Sequence, residues 1–231
     1  MEQMESQNLS INNKIMKTII NGNLSNISIT TRLLDDGYNM LDDYYDGLLV
    51  SSPRGYSPLG LLRIELEKNG SLKLIKKLDK KCNQISVSDN FLIGCFELNK
   101  KMKILLAPNQ NANFYENNTP TNNLWLDFAF ASTYCSLVFA SKIGIKRLAL
   151  SHSLHDIDNN FIKTLGNAIK IYTNQFAENN LEEIVLVGCC FNHKNLIHLF
   201  SETNNTLLHQ PHFNYEIQMS RSFPSIKINL I

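Results

Sequence analysis

The sequence predicts an α/β fold, a three-layer α/β/α arrangement around a mixed, mostly parallel sheet. In the second half of the 231-residue chain, strand-like and helix-like segments alternate, which favours parallel pairing with helices on both faces. A hydrophobic fraction of 43% fits an ordinary buried core. We expect a flexible tail over residues 1–13 and one domain over 14–231, with an added strand within 206–231.

The elements of the second half follow from periodicity and from turn residues. The segment 124–142 is long, apolar and rich in Ala, without Gly or Pro, so a largely buried helix is expected there, ending at Gly144. Apolar residues at helical spacing predict a second helix, over 161–179. The remaining predictions are strands over 147–150 and 183–189 and a short helix over 193–202.

The first half is less regular. The segment 14–20 resembles a strand ending in the turn Asn21-Gly22-Asn23. The acidic stretch that follows, up to residue 46, is interpreted as a surface connection. The next predictions are a buried strand over 47–50, a loop over 51–58 and a helix beginning at Pro58. A solvated lysine-rich face is expected over 73–81. It is followed by a hairpin of strands over 91–96 and 102–106 and by a long Asn-rich loop over 108–123.

Charge and composition exclude several functional classes. Twenty-two basic and 21 acidic side chains leave a net charge of +1, which argues against a dedicated nucleic-acid binder. No apolar run reaches about 18 residues, so no membrane partner is expected. The polar N-terminus is not a secretory signal, and five cysteines without a CxxC spacing suggest a reducing compartment. We expect a cytoplasmic protein without a metal or cofactor.

The loop Ser51–Gly60 is the first candidate ligand site. It joins the end of a strand to the start of a helix, where backbone N–H groups and the helix dipole favour anions. Arg54 can form a bidentate phosphate contact, and Tyr56 can stack on a base or a ribose. The alternative is an ordinary strand-to-helix turn with a surface arginine.

The loop Ser151–Asn160 is the second candidate. Its histidines and aspartates are metal-ligand types, but their spacing matches no established site, and Asp156 or Asp158 can simply cap the next helix. Two further hypotheses are weaker. Cys189-Cys190 near His193 is more typical of buried strand residues than of a nucleophile, and no Gly-x-Ser-x-Gly elbow supports a serine hydrolase.

The order of elements resembles the macro domain, a fold that binds ADP-ribose and its relatives. The likeness rests mainly on the Ala-rich helix ending in Gly144-Ile145-Lys146 and on the strands and helices after it. In the first half, Ile19–Leu24 occupies the place of the family's Gly-Asp-Ile turn, and Asp46–Ser52 that of its Asp-x-Ile-Val-Asn-Ala strand. Asn23 stands where the family has an Asp, and the loop 151–160 contains no glycine.

The resemblance implies a binding module for a nucleotide or an ADP-ribose-related ligand, with a possible role in signalling. One alternative is a degenerate module that binds a protein partner, or an effector without a small ligand. Another is an ADP-ribosyl hydrolase that uses His155 or Asp156. The predicted ligand-binding residues are Asn23, Ser51, Ser52, Arg54, Gly55, Tyr56, Gly60, Ser151, His152 and Ser153.

Overall fold

A computed structural model describes residues 16–33, 38–53, 60–86, 94–109, 124–151, 159–176, 180–188, 193–203 and 229–230. The strands are β1 Lys17–Asn21, β2 Asn26–Leu33, β3 Gly47–Pro53, β4 Gly94–Glu97, β5 Lys103–Asn109, β6 Arg147–Ser151, β7 Glu183–Gly188 and β8 Asn229–Leu230. The helices are α1 Gly60–Lys68, α2 Leu72–Ser86, α3 Leu124–Lys142, α4 Asn159–Gln175 and α5 His193–Thr203.

The strands form one sheet in the order β1-β2-β7-β6-β3-β5-β4-β8. The five strands from β2 to β5 in this order are parallel to one another. β1 and β4 run antiparallel to their neighbours β2 and β5. The parallel strands therefore end together at one edge of the sheet, here called the carboxyl edge, and begin at the opposite, amino edge.

Helices cover both faces of the sheet, as the three-layer prediction requires. Helices α3, α4 and α5 pack on one face and share a core with Ile27, Ile29 and Ile184. Helices α1 and α2 pack on the other, with Leu48 and Val185. Strand β7 is buried throughout and sends alternate residues into the two cores, which is typical of a strand inside a parallel sheet. In the described part of the chain, no helix is long and apolar enough to cross a membrane.

Most of the predicted elements are confirmed. Helix α3 spans the predicted residues 124–142, and β4 and β5 form the predicted antiparallel hairpin. Three elements differ from the prediction. The lysine-rich face over 73–81 belongs to helix α2, which was not predicted as a helix, and β3 extends to Pro53, into the predicted loop 51–58. The segment interpreted as a surface connection contains β2, an eight-residue strand inside the sheet. Ile27 and Ile29 are fully buried, and their alternation with polar residues is the signal that reveals this strand.

Of the segment 206–231, the structure describes only Asn229–Leu230, which form β8 and pair with β4. The alternating segment 213–219 lies outside the described residues, as do the tail 1–13 and most of the Asn-rich loop.

Candidate functional site

Strands β3 and β6 lie side by side and parallel at the centre of the sheet. The chain that leaves β3 continues into α1, which packs on one face, whereas the chain that leaves β6 continues into α4, which packs on the other. The connections diverge at the carboxyl edge, which makes this a topological switch point. Ligand crevices of open α/β sheets form at such points.

The two predicted binding loops begin at this point. Leu49 of β3 is in register with Leu150 of β6, so Ser51 and Ser52 end one strand beside Ser151 at the end of its neighbour. Gly60 begins α1. The structure therefore brings the three predicted serines to the same edge of the sheet.

Asp46 holds the starts of these strands together at the amino edge. Its carboxylate accepts hydrogen bonds from the backbone N–H groups of Arg147, at 2.7 Å, and Lys146, at 2.9 Å. Its own backbone N–H donates to the Arg147 carbonyl, and its carbonyl accepts from the N–H of Lys103 at the start of β5. Asp46 thus links β3, β6 and β5 at their amino ends, and this helps to fix where their carboxyl ends lie relative to one another.

Two tyrosines of the connection from β2 to β3 stack with arginines of β2 and β6, an arrangement that the sequence did not predict. The Arg32 guanidinium lies 3.7 Å from the ring centroid of Tyr44 and 4.7 Å from that of Tyr38. Arg147 also lies over the Tyr44 ring, at 4.6 Å. Arg32 is 7% exposed and pairs with Asp42 at 3.4 Å. Its Nε atom has no hydrogen-bond partner within the part of the chain that the structure describes.

Glu183, at the start of β7, completes this cluster. It accepts hydrogen bonds from the Thr30 hydroxyl at 2.6 Å and from the Tyr44 hydroxyl at 2.8 Å. Burial and the neighbouring Glu183 carboxylate raise the pKa of Tyr44. The cluster joins the connection to the sheet.

The prediction that Asn23 faces the same crevice is wrong. Asn23 lies in the turn between β1 and β2, and Asn21 pairs with Asn26 at the beginning of β2. Because β2 is parallel to β7, this turn lies at the amino edge, opposite Ser51 and Ser151. There the Asn23 backbone N–H donates to the side chain of Asn174 at 2.8 Å. The error arose because β2 was not recognised as a strand.

The remaining predicted site residues lie outside the described ranges. They are Arg54, Gly55, Tyr56, His152, Ser153, His155 and Asp156. Their predicted contacts therefore stay predictions.

No group of three metal-ligand side chains comes together in the described ranges of the chain. Cys95 and Cys135 are both buried thiols. Burial raises the pKa of Cys135 to about 12, which keeps it protonated and unsuited to act as a nucleophile at neutral pH. Cys189 and Cys190 lie outside the described residues.

Comparison with solved structures identifies the fold. A mutant macrodomain of Oceanobacillus iheyensis superposes with a TM-score of 0.55 at 10% identity, covering 85% of this chain and 95% of that one. The macrodomain of this organism with ADP gives 0.54 at 10% identity, covering 83% and 96%. The macro domain of ganglioside induced differentiation associated protein 2 gives 0.52 at 9% identity, covering 85% and 84%.

Sequence comparison is silent, since neither a scan against known protein families nor a search of curated proteins gives a match. At about a tenth of positions identical, the structural likeness establishes the architecture. The chain has a macrodomain-like fold.

Proposed function

We propose that the chain binds a nucleotide or an ADP-ribose-related ligand in the crevice at the carboxyl ends of β3 and β6. The observation that carries this proposal is the switch point between these strands, where two strand-to-helix loops begin side by side. Two solved Oceanobacillus iheyensis structures with this fold are a macrodomain with ADP and a mutant with ADPR.

A pyrophosphate suits the elements that flank the crevice. Helices α1 and α4 both follow strands that end at this edge, and α4 runs from there to the amino edge, where Thr173 near its end contacts the β1–β2 turn. The N-terminus of α4 is therefore directed toward the crevice with its positive dipole and with the N–H groups that have no partner within the helix. The ligand contacts proposed on the two loops are Ser51, Ser52, Arg54, Gly55, Tyr56, Gly60, Ser151, His152 and Ser153.

In this arrangement Arg54 offsets the pyrophosphate charge through a bidentate contact, and Tyr56 stacks on the base or the ribose. Asn23 takes no part, because its turn lies at the opposite edge of the sheet.

Isothermal titration calorimetry of the full chain with ADP-ribose, cyclic ADP-ribose, NAD, AMP and a dinucleotide tests the proposal. We expect a micromolar response to at least one ligand and its loss in Arg54→Ala. Asn23→Ala is the control, since this exposed residue should leave the affinity unchanged. No measurable binding of any of these ligands would overturn the proposal.

A glycine-free loop at 151–160 favours one alternative, a protein-interaction module without a small ligand. Glycines allow the backbone N–H groups of a loop to approach phosphates closely, and this loop contains none. Silence across the panel together with a saturable protein partner would support that alternative. The hydrolase alternative predicts that His155→Ala or Asp156→Asn abolishes turnover of an ADP-ribosylated substrate while ligand affinity stays intact.

A further inference from the structure

The helical pair α1–α2 carries a larger positive charge than the whole chain. Residues 60–86 contain seven basic and three acidic side chains, a balance of +4. The whole chain has a net charge of +1, so the remaining residues sum to −3. A near-neutral chain therefore carries a strongly basic surface on one helical pair.

Four lysines on α2 form a narrow stripe. Lys73, Lys76, Lys77 and Lys80 follow the spacing i, i+3, i+4, i+7, and all four are exposed. The opposite side of α2 is anchored in the core by Ile75 and Leu78, which are 3% and 0% exposed. The stripe thus points away from the sheet on a helix that cannot rotate without breaking its core contacts.

The acidic residues of the pair are engaged elsewhere. Glu65 accepts hydrogen bonds from the backbone N–H groups of Met40 and Leu41. Glu67 and Asp79 both pair with Arg63, at 3.0 Å each. Within the described ranges, the ion pairs of this region are those of Arg63, and none involves the lysine stripe. Its charge is therefore not neutralised by the helices that carry it.

The same pair exposes two large aliphatic side chains. Ile64 on α1 is 51% exposed and Leu72, immediately before the first lysine of the stripe, is 61% exposed. Ile64 is four residues from Lys68, a further exposed lysine at the end of α1. Aliphatic residues beside lysines are the composition of surfaces that lie in a membrane interface.

The expectation of no membrane partner rests on the lack of a spanning segment, and surface docking does not require one. We propose that the outer surface of α1 and α2 docks on an anionic lipid bilayer, with the lysines on the headgroups and with Ile64 and Leu72 entering the interface. Phosphates of nucleic acid also attract lysines. Exposed aliphatics gain nothing from a phosphate backbone, however, and the stripe contains none of the arginine forks or amides that read base edges. Lipid is therefore the better match to both halves of the surface.

Flotation of the full chain with phosphatidylcholine vesicles, with and without phosphatidylserine, tests this assignment. We expect binding only to the vesicles with phosphatidylserine, weakening as salt is added. The partition coefficient onto these vesicles should fall at least about 100-fold in the quadruple variant Lys73→Gln, Lys76→Gln, Lys77→Gln, Lys80→Gln. This figure follows from a loss of about five-fold for each lysine near the surface. Ile64→Ser with Leu72→Ser should weaken the binding that persists at high salt.

The matched control removes four exposed lysines elsewhere, by Lys17→Gln, Lys142→Gln, Lys163→Gln and Lys194→Gln. It changes the net charge equally and should keep vesicle binding. Equal losses in both quadruple variants, or no binding to vesicles with phosphatidylserine, would overturn the proposal. Binding to a random-sequence DNA duplex without binding to vesicles would also overturn it and would identify a nucleic-acid surface. All substituted side chains are exposed, and circular dichroism confirms the fold of each variant.

Discussion

The hydroxyl of Tyr44 donates a 2.8 Å hydrogen bond to the carboxylate of Glu183, a residue 139 positions away in the sequence. The Tyr44 ring meanwhile contacts the guanidinium groups of Arg32 and Arg147. Tyr44 thus connects the passage between β2 and β3 to the first residues of β6 and β7. This passage leads directly into β3, one of the two strands that border the candidate crevice.

Tyr44→Phe should lower the free energy of unfolding by about 1.5–3 kcal/mol, because Glu183 is 8% exposed and loses a hydrogen bond to its carboxylate. Tyr44→Leu should cost a further 0.5–2 kcal/mol or so through the lost cation–π contacts. Urea denaturation measures both. Tyr134→Phe removes a hydroxyl that bonds the neutral side chain of Gln175 in an exposed setting, and should cost less. Equal losses for the two Tyr→Phe variants would contradict the importance of Glu183.

Tyr45 predicts how stability responds to alkaline pH. Its side chain is 2% exposed, and burial raises its pKa above the usual 10.0. The unfolded chain therefore ionises first as pH rises, and the contribution of Tyr45 to stability, complete below pH 10, declines above it. Unfolding free energies measured by urea from about pH 9 to about pH 11 should fall less steeply in Tyr45→Phe than in the wild type. Equal slopes of unfolding free energy against pH in the two proteins would show that Tyr45 does not contribute to the loss of stability.

Asp46 should be important for stability although it is at the amino edge, far from the proposed ligand. Asp46→Ala removes the acceptor of the N–H groups of Lys146 and Arg147. Because these groups are exposed and water can replace it, we expect a loss of about 0.5–1.5 kcal/mol in unfolding free energy. Asp46→Asn retains one acceptor oxygen and should lose less. Asp43→Ala, at an exposed position nearby, is the control. Thermal denaturation of the three variants distinguishes them, and an unchanged Asp46→Ala would refute the role assigned to this carboxylate.

Gly22 is required by close packing in the β1–β2 turn. A Cβ atom at this position would lie 2.4 Å from the Thr173 Cβ and 2.5 Å from the backbone carbonyl carbon of Thr173. Gly22→Ala must therefore displace the turn from the end of α4, at a cost of about 1–3 kcal/mol in unfolding free energy. Leu24→Ala in the same turn should cost less, because Leu24 is 50% exposed. Equal melting temperatures of Gly22→Ala and the wild type by calorimetry would show that the close approach of Gly22 to Thr173 does not require a glycine.

Cys135 should react slowly in the folded protein. It is 6% exposed and its pKa is raised to about 12, so both access and thiolate formation are suppressed. Iodoacetamide labelling followed by peptide mass spectrometry should show modification of Cys135 in urea and little in buffer at neutral pH. Comparable labelling in both conditions would mean that the α3 core opens readily.

Prediction from the sequence succeeded where the signal is local. Helix α3 was predicted over its full extent because an uninterrupted apolar, Ala-rich segment has few alternatives to a buried helix. Strand β2 was missed because the acidic residues that follow it suggested a surface segment, although Ile27 and Ile29 alternate as a strand requires. The stack of Arg32 and Tyr44 has no sequence signature, since its partners come from three separate strands and connections.

Prediction of the candidate site likewise succeeded for some residues and failed for another. The general rule that ligands bind where parallel strands end selected Ser51, the family resemblance selected Ser151, and these residues lie near the ends of adjacent strands. Asn23 was assigned to the same crevice from the resemblance alone. That assignment failed because the pairing of β1 with β2 places the turn at the opposite edge.

The sequence by itself determined the alternation of helices and strands in the second half, the buried apolar faces and the solvated character of the lysine-rich segment, because these depend on the residues within a single element. The tertiary structure decided which strands are neighbours, which edge each loop occupies and which buried charges meet. Those features depend on pairing between segments far apart in the chain, where many arrangements satisfy the same local pattern and only the packing of the whole sheet selects one.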